Sequence, residues 1–466
     1  MNDHVIVVDL GYGDAGKGTV VDWLCAQSTS STSSTSSTRS TSSAQGRPVQ
    51  AVVRFNGGAQ AAHHVLAPNG APHAFAQFGS GTFAQGTRTF LSRFMLVDPL
   101  ALVAEAEHLK SLGVPDPFGL VAIDRDALLT TPYHRAANQA REQARGDGRH
   151  GSCGMGIGET AGYALAYPQD APRAADMTTP RILERKLALL RDRLTKEFAD
   201  LNGMSELASL PAFRTAIAGI PPTADVAAVY RAVADRVTLA GDGYLTSLLR
   251  TGPVVFEGAQ GVLLDEWRGF HPYTTWSTTT FENADTLLHE SGSGSGNEAQ
   301  ATRLGVTRTY QTRHGPGPFP TEDPALRIAE RHNANGRWQG RFRLGHLDAL
   351  ALGYAAEVVG GVDEIALTHL DSAQEHEGEL RICRAYDLSG RRVPRLDPGP
   401  PRDLAFQESL TGALLTACPV YDPAERVTAA DWPDAVAEIL RAPVSVVSRG
   451  PAVTDKTWRP LKAVSR

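Results

Sequence analysis

Short runs of almost wholly apolar residues alternate along this chain with longer segments in which apolar side chains recur every three or four positions. The short runs predict β-strands at residues 5–10, 51–55, 90–95, 120–123, 254–256, 365–368 and 444–448. The periodic segments predict helices after residue 19 and at residues 99–112, 182–198 and 347–358. This alternation favours an α/β fold with a large, mostly parallel central sheet and helices on both faces. Ligands of such folds bind beyond the carboxyl ends of the strands, so the loops there are candidate sites.

One segment interrupts the pattern. Every residue from Ser28 to Ser43 is Ser or Thr except Arg39, and such a tract cannot bury enough apolar area to offset its ordering entropy. Residues 28–46 are therefore expected to form a flexible surface insertion, which costs little because loop-closure entropy grows slowly with length. We expect the remainder of 1–466 to form a single domain around the insertion.

Composition removes several classes of function. The net charge of −6 gives no sign of a nucleic-acid-binding surface. The four cysteines are far apart and form no CxxC pair, which argues against a zinc site or a disulfide framework and for a reducing compartment. The first residues lack a basic region, and no apolar run approaches the roughly 20 residues needed to span a bilayer. We expect a cytoplasmic protein without a membrane or nucleic-acid partner.

The first predicted strand leads directly into a glycine-rich loop, Gly11-Tyr12-Gly13-Asp14-Ala15-Gly16-Lys17-Gly18-Thr19. The glycines let backbone N–H groups face a polyphosphate, and Lys17 adds a positive charge at the start of a helix. Asp14 is unusual there, because a carboxylate in contact with phosphate is repelled at a cost of several kcal/mol, roughly the Coulomb energy at intermediate dielectric. Its position indicates a magnesium ligand or a catalytic base beside the phosphates. The alternative is a solvated loop aspartate in a dinucleotide-binding turn.

Five further motifs follow in order. They are the segments 54–64, with the histidines His63 and His64, 151–160, 256–261, 307–322 and 340–348. Together with the phosphate loop, the series closely resembles the adenylosuccinate synthetase family, from Val5 to about Trp458. Each motif alone is weak, and their shared order makes the resemblance specific.

The resemblance implies a two-step ligase. In this family GTP phosphorylates the 6-oxygen of inosine monophosphate (IMP), and the amine of L-aspartate then displaces phosphate to give adenylosuccinate. By this resemblance Asp14 is the base that takes the N1 proton and is also a Mg²⁺ ligand, together with the backbone carbonyl of Ala62. His63 is implied as the catalytic donor to the transferring phosphoryl group, although a histidine that caps a helix is the plainer alternative. The residues implied to hold the phosphates of GTP are Gly13, Gly16, Lys17, Gly18 and Thr19.

Other residues match the family's substrate contacts. Gln260 falls where the hypoxanthine base is recognised, a role that suits an amide because it donates and accepts. Arg341 and Arg343 fall on the arginines that bind the carboxylates of aspartate, although a solvated arginine pair is the alternative and the segment is one residue shorter than usual. The acceptor's nucleotide end is matched by Ser152, Cys153 and Thr275, and the guanine pocket by Asp371, Ser448 and Gly450. The family also implies a homodimer.

The departures from the family pattern concentrate at the nucleotide end of the acceptor. Ser152 and Cys153 replace two threonines, and Met155 stands where the family is usually basic. The other changed positions are Ala15, Ala59 and Ala62, and Arg173 is the nearest candidate for the arginine that the family supplies from a dimer partner. Losing an arginine–phosphate contact costs roughly 2 to 3 kcal/mol, so other residues replace it or the acceptor differs there.

Three alternatives remain open. The same chemistry on a modified purine nucleotide (deoxy, guanine-type or a nucleoside-antibiotic precursor) fits the departures, but relatives that use guanine nucleotides resemble a pattern in which a smaller residue replaces Asp14. A dinucleotide-binding dehydrogenase needs an acidic residue about 20 positions after the glycines, where this chain has its Ser/Thr tract. A GTP-binding regulatory protein needs Lys17 and Asp371 but neither His63 nor Gln260, so the presence of all four favours the ligase.

Overall fold

A computed structural model of the chain describes residues 4–30, 47–146, 151–200, 209–292, 300–330, 333, 335–336, 338–376 and 378–460. Its strands are β1 (His4–Asp9), β2 (Ala51–Arg54), β3 (His63–Leu66), β4 (Pro72–Phe75), β5 (Arg88–Leu91), β6 (Leu96–Val97), β7 (Val121–Asp124), β8 (Leu128–Leu129), β9 (Thr238–Ala240), β10 (Val254–Glu257), β11 (Ala301–Arg308), β12 (Gln311–His314), β13 (Phe342–Gly345), β14 (Leu347–Asp348), β15 (Glu364–Thr368), β16 (Ile382–Leu388), β17 (Arg391–Val393), β18 (Cys418–Tyr421), β19 (Val444–Ser448) and β20 (Lys456–Trp458). Its helices are α1 (Lys17–Ser30), α2 (Pro99–Ser111), α3 (Pro132–Ala144), α4 (Ile157–Ala166), α5 (Pro180–Asp200), α6 (Ser209–Ala218), α7 (Thr223–Ala234), α8 (Tyr244–Thr251), α9 (Glu282–Gly292), α10 (Ala349–Val358), α11 (Leu370–Glu375), α12 (Leu404–Leu414) and α13 (Trp432–Leu440).

Ten of these strands form one central sheet in the order β20-β19-β15-β11-β1-β10-β2-β5-β7-β9. Neighbouring strands run parallel, except that the edge strand β20 is antiparallel to β19. The predicted α/β fold with a large, mostly parallel sheet is confirmed. Because the strands of this sheet come from residues 4–458, we retain the prediction that the chain forms a single domain.

The apolar runs form central strands because both of their faces are covered. In β1, Ile6 and Val8 belong to a core that includes α10 and α13, whereas Val5 and Val7 pack with α1 on the opposite face. Alternate side chains of a strand point to opposite faces, so an unbroken apolar run serves two cores at once. Helices therefore lie on both faces of the sheet, as predicted.

Two predicted boundaries are wrong. The strand expected at 90–95 is β5, which ends at Leu91, because the amide of Met95 bonds to the carbonyl of Ser92 in a turn. The helix expected from residue 347 begins at Ala349, since the Asp348 carboxylate caps it and the residues before it pair with β16. In both places the apolar side chains are buried in a different local conformation from the one that the pattern predicted.

The Ser/Thr insertion lies largely outside the described residues. Its first residues, Ser28–Ser30, are the last residues of α1, so the helix extends beyond the boundary expected for the insertion. The expectation of flexibility for 31–46 stays a prediction.

The central strands deliver their carboxyl ends to one edge of the sheet. Asp9, Arg54, Glu257, Arg308 and Ser448 end five of these strands. The polar loops that follow them surround a common opening, which is where ligands of parallel sheets bind.

Candidate active site

The opening at the strand ends is a cleft of about 1300 Å³. All of the predicted site residues except Arg341 and Arg343 line it: Gly13, Asp14, Gly16, Lys17, Gly18, Thr19, Ala62, His63, Ser152, Cys153, Gln260, Thr275, Asp371, Ser448 and Gly450. Predicted site residues as far apart in the sequence as Gly13 and Gly450 thus line the same cleft. The structure brings together the phosphate loop and the candidate acceptor and guanine contacts.

The phosphate loop is fixed by the carboxylate that ends β1. Asp9 accepts hydrogen bonds from the backbone amides of Gly11 and Ala15 at 2.8 and 2.9 Å. Lys17 is buried, and its Nζ lies 3.1 Å from Asp9 Oδ2 and 2.5 Å from the carbonyl of Gln260. The ammonium is therefore held at the base of the loop, where a polyphosphate would meet it.

Asp14 adopts a left-handed backbone conformation with φ of 60° and faces the cleft. The guanidinium of Arg308 donates to its carbonyl at 3.2 Å. Its carboxylate Oδ2 lies 3.3 Å from Nε2 of His314. Burial opposes ionisation of Asp14, but the contact with His314 and nearby positive charges outweigh it, and the pKa of Asp14 is lowered. A carboxylate that stays ionised is what a proton acceptor requires.

His63 at the start of β3 is anchored by a buried carboxylate. Its Nδ1 lies 2.6 Å from Oε1 of Glu257, whose side chain is fully buried. Glu257 also accepts from the backbone amide and the hydroxyl of Ser80. Burial opposes ionisation of Glu257, but positive charge from Arg54 and the contact with His63 lower its pKa to about 2. The charged carboxylate fixes the imidazole so that its Nε2 is free to act in the cleft.

The protonation of His63 depends on its surroundings. Burial lowers the pKa of His63, and Glu257 opposes this effect only in part. Burial of the ring therefore favours its neutral form, and Glu257 favours the charged form. Phosphate oxygens arriving beside it would favour the imidazolium that a donor to the phosphoryl group needs.

Two amide side chains of the cleft have buried polar atoms without hydrogen-bond partners. Gln260 has φ of 59°, and its Nε2 donates to Thr275 Oγ1 at 2.9 Å. Its Oε1 is buried without a hydrogen-bond partner, as are both polar atoms of the Gln60 amide. Gln60 also lines the cleft. Because unpaired buried amides are costly, both side chains are prepared to bond a ligand.

The candidate guanine pocket forms at the ends of β15 and β19. Asp371 lies in the first turn of α11, and Ser448 Oγ donates to the carbonyl of Gly450 at 3.0 Å. Lys456 Nζ donates to the same carbonyl at 3.1 Å and to that of Ala452 at 3.0 Å, which fixes the turn. Burial lowers the pKa of Lys456 to about 8, against the opposing effect of nearby carboxylates that include Asp371.

The wall nearest Ser152 and Cys153 is polar and internally paired. Asn138 of α3 donates to Ser152 Oγ at 2.9 Å. Two arginines also line this wall, but Arg141 is paired with Glu159 and Glu197, at 2.9 and 2.7 Å, and Arg145 with Glu142, at 2.5 Å. Burial raises the pKa of the Cys153 thiol, so it stays protonated. As noted from the sequence, Met155 stands where the family is usually basic, and in the described part of this wall both arginines are paired with carboxylates.

Arg341 and Arg343 lie outside the cleft lining. Arg341 precedes β13 and Arg343 lies within it. Both contact one carboxylate, because Arg341 Nη2 lies 2.8 Å from Oε1 of Glu322 and Arg343 Nη1 lies 2.9 Å from Oε2. The two guanidinium groups therefore bind a carboxylate of the chain itself, and their predicted role in binding aspartate stays a prediction. Arg173 is also outside the lining and donates to the carbonyl of Asp126 at 2.7 Å.

Comparison with known proteins agrees with this geometry. The family model of adenylosuccinate synthetase matches residues 43–457. The chain belongs to the adenylosuccinate synthetase family. An adenylosuccinate synthetase of Neisseria meningitidis serogroup A is 32% identical over 469 residues, covering 97% of each chain. One of Acidithiobacillus ferrooxidans is 31% identical over 472 residues, covering 98% of this chain and 99% of its own.

Two solved structures share the fold. The fully ligated adenylosuccinate synthetase of Plasmodium falciparum superposes with a TM-score of 0.70 at 20% identity, covering 98% of this chain and all of that one. Succinoaminodeoxyadenylate synthetase of cyanophage S-2L, solved with dGMP and dATP, gives a TM-score of 0.52 at 16% identity, covering 99% and 96%. These likenesses support the predicted fold class. The family resemblance inferred from the sequence motifs is confirmed by the family match.

The structure also brings to the candidate site four residues that sequence reasoning did not assign. Glu257, His314, Gln60 and Asn138 all lie at the cleft or anchor a residue there. Glu257 left a signal in the sequence, since a carboxylate that ends an apolar strand must find a partner when buried. In the described ranges, no helix is long and apolar enough to cross a membrane.

Proposed function

We propose that this protein is a GTP-dependent ligase that joins L-aspartate to C6 of a 6-oxopurine nucleotide, IMP first among them. The products are adenylosuccinate, GDP and phosphate. The observation that carries the proposal is Asp14, an ionised carboxylate built into a phosphate loop and facing the same cleft as Lys17 and Gln260. A loop that only bound GTP would gain nothing from that charge.

The first step needs a stronger nucleophile than a neutral lactam oxygen. Asp14 takes the proton from N1 of the purine, and the O6 that becomes negatively charged attacks the γ-phosphorus of GTP. A bond forms between O6 and the γ-phosphorus, and the bond from the γ-phosphorus to GDP breaks. The purine then carries a 6-phosphoryl group. The unpaired Oε1 of Gln260 supports this acceptor, since it can hold the purine while Asp14 acts.

The phosphoryl group is stabilised by charge already fixed in the cleft. Lys17 is held by Asp9 at the base of the loop, and His63 is held by Glu257 with its other nitrogen available. Phosphoryl transfer depends mainly on such positioning and electrostatics. We assign Gly13, Gly16, Gly18 and Thr19 to the phosphates of GTP, and Asp371, Ser448 and Gly450 to its guanine.

In the second step the amine of L-aspartate attacks C6, the C6–O bond breaks, and phosphate leaves while the amine loses a proton. Arg341 and Arg343 already bind a carboxylate bidentately, that of Glu322. We propose that a carboxylate of the amino acid exchanges with Glu322 on these arginines. Ser152, Cys153 and Thr275 are assigned to the nucleotide end of the acceptor.

Magnesium fits the oxygen donors of the cleft. Asp14 offers a partly exposed carboxylate and Ala62 a backbone carbonyl, both hard ligands. In the part of the chain that the structure describes, no group of three or more His, Cys, Asp or Glu side chains could hold a metal by itself. This suits Mg²⁺, which is held by one or two protein oxygens together with water and substrate phosphates. When bound, the ion would neutralise charge on the phosphates.

A second candidate differs only in the acceptor. The pairing of Arg141 and Arg145 with carboxylates, and the amide of Asn138 on Ser152, favour an acceptor whose far end differs from that of IMP. The same chemistry would then act on a modified purine nucleotide, either deoxy, guanine-type or a nucleoside-antibiotic precursor. We further propose a cytoplasmic homodimer without nucleic-acid or membrane partners; the free cysteines in the described residues are consistent with a reducing compartment.

The test is phosphate release with GTP, Mg²⁺ and L-aspartate, screening IMP, deoxy-IMP, guanosine monophosphates and inosine analogues. We expect turnover with at least one 6-oxopurine, and we expect Asp14→Asn to reduce kcat by about 100-fold or more because a general base contributes on that order. GTP affinity should change much less. The control is Asp242→Asn, the same substitution at an exposed position outside the cleft.

The outcomes separate the hypotheses. A folded protein that binds GTP but releases no phosphate with any 6-oxopurine is the regulatory protein, and the ligase proposal is then wrong. Full activity of Asp14→Asn would show instead that the ligase uses a different base.

A further inference from the structure

The carboxylate of Asp14, the proposed base, is in contact with a histidine. His314 ends β12, lines the cleft, and places its Nε2 3.3 Å from Oδ2 of Asp14. The two residues are 300 positions apart in the chain, so the contact exists only in the folded cleft. The predicted mechanism assigns His314 no role.

The imidazole is held in place from two sides. Its ring packs against Phe342 with the ring centroids 4.8 Å apart, and the two residues are paired in register between β12 and β13. The amide of Gly315 bonds to the carbonyl of Arg341 at 2.9 Å, which fixes the backbone just after the histidine.

The residue before His314 also restrains β12 through hydrogen bonds. Arg313 is fully buried, and its guanidinium donates to the carbonyls of Pro316, Pro318 and Tyr273 at 3.1 to 3.3 Å. A side chain on such a support keeps its direction, which is what an orienting contact requires. His314 is therefore a fixed partner for Asp14, whose own loop is exposed to the cleft.

We infer that His314 is a positioning residue for the proposed reaction, which donates to Oδ2 of Asp14 and turns Oδ1 towards the acceptor. This inference rests on the proposed function, because orientation of Asp14 matters only if Asp14 takes a proton. A carboxylate has two equivalent oxygens on a freely turning bond. Holding one of them fixes the direction in which the other can accept a proton.

The position of His314 also joins two parts of the site. Its partner across the β12–β13 ladder is Phe342, which stands between Arg341 and Arg343, the candidate carboxylate clamp. The base for the first step and the clamp for the second are thus connected through one pair of strands. A change at His314 should reach the chemical step through Asp14, while the phosphate loop keeps its own anchor in Asp9 and Lys17.

The experiment compares three substitutions in the full-length protein. His314→Leu removes the donor, His314→Gln keeps an amide that can reach Asp14, and His314→Asn has an amide that is one carbon shorter. We measure kcat and KM for each substrate, together with isotope exchange between the bridging and non-bridging oxygens of GTP in the absence of aspartate. That exchange reports on the first step alone.

We expect His314→Leu and His314→Asn to lower kcat by about 10- to 100-fold, the usual effect of losing a group that orients a catalytic ligand. KM for GTP should change little, the isotope exchange should fall with kcat, and His314→Gln should restore most of the rate. The control is His346→Leu, which removes another histidine–aspartate pair, His346 with Asp323 at 3.1 Å, outside the cleft lining. It should cost thermal stability and leave kcat largely unchanged.

Each outcome decides the inference. Wild-type kcat in His314→Leu, or equal rates in the Gln and Asn variants, would overturn the positioning role while the ligase activity itself stands. If the Leu variant does not fold, the inference is tested by comparing kcat of the Gln and Asn variants. A wild-type protein without turnover would overturn the proposed function, and the role of His314 with it.

Discussion

Replacing Glu257 by glutamine should destabilise the protein markedly, although the two side chains have nearly the same shape. Glu257 is fully buried, and its pKa is lowered to about 2 although burial opposes its ionisation, because Arg54 and His63 are close. A displacement from 4.5 to about 2 corresponds to about 3 kcal/mol in favour of the charged form. The amide cannot carry that charge, so Arg54, itself fully buried, would lose one nearby negative charge.

We therefore expect Glu257→Gln to lower the free energy of unfolding by about 3 kcal/mol at pH 7, measured by urea denaturation. The sign follows from linkage, because a carboxyl with a depressed folded-state pKa stabilises the protein above its unfolded pKa. This stabilisation is lost as the pH falls through 4.5 towards 2. The difference between wild type and variant should accordingly shrink in acid.

The matched control is Glu290→Gln. Glu290 forms an equally short pair with Arg93, at 2.7 Å, but is half exposed. Exposed pairs contribute about 0 to 1 kcal/mol, so this substitution should have a small effect. Equal losses in the two variants would refute the reasoning, since they would show that burial of the Glu257 charge is not what makes it stabilising.

Two further predictions concern pH and specificity. Burial lowers the pKa of His134 to about 3, so the unfolded state binds more protons than the folded state below pH 6.5. Between pH 7 and pH 5, wild type should therefore lose about 2 kcal/mol more stability than His134→Gln, measured by denaturant titration at both pH values. Equal losses would mean that His134 is not buried as a neutral ring. Asp371→Asn should lower kcat/KM for GTP and raise it for xanthosine triphosphate, by about 100-fold each, because an amide donates where guanine needs an acceptor; an unchanged preference would place guanine recognition elsewhere.

Local patterns sufficed for much of the fold. The strand at 5–10 was predictable because a parallel strand covered on both faces needs an unbroken apolar run, and β1 is buried at every position. The place of the glycine-rich loop in the cleft was predictable because its glycines and Lys17 lie within nine residues after the first strand, and its phosphate-binding role stays a prediction. The strand expected to reach residue 95 was wrong since Met95 is buried in a turn, and periodicity does not distinguish a buried turn from a strand end.

The side-chain contacts that hold the candidate site residues could not be predicted from local sequence patterns. Glu257 meets His63 across 194 positions, and His314 meets Asp14 across 300. Both contacts join the central sheet or the loop after it to a separate two-stranded sheet. The motifs therefore identified single residues but not their partners. Gln60 gave no signal at all, because an amide is notable only once its burial and lack of a partner are known.

The way in which the cleft's side chains are paired also bears on the identity of the acceptor nucleotide. The proposed catalytic groups, Asp14 and His63, are each held by a side chain of opposite polarity, His314 and Glu257, so under the proposal they constrain the chemistry tightly. At the far wall the charges of Arg141 and Arg145 are already engaged by carboxylates. Among the described residues that line this wall, a phosphate would have to displace a carboxylate from an arginine, or bond to neutral donors that contribute about 0.5 to 1.5 kcal/mol each instead of the 1.5 to 3 of a charged contact. Remote contacts of this kind decide which nucleotide is bound well enough to react. The acceptor is therefore best identified by comparing kcat/KM among nucleotides that share the 6-oxopurine and differ only at the sugar and phosphate, where this wall would contact them.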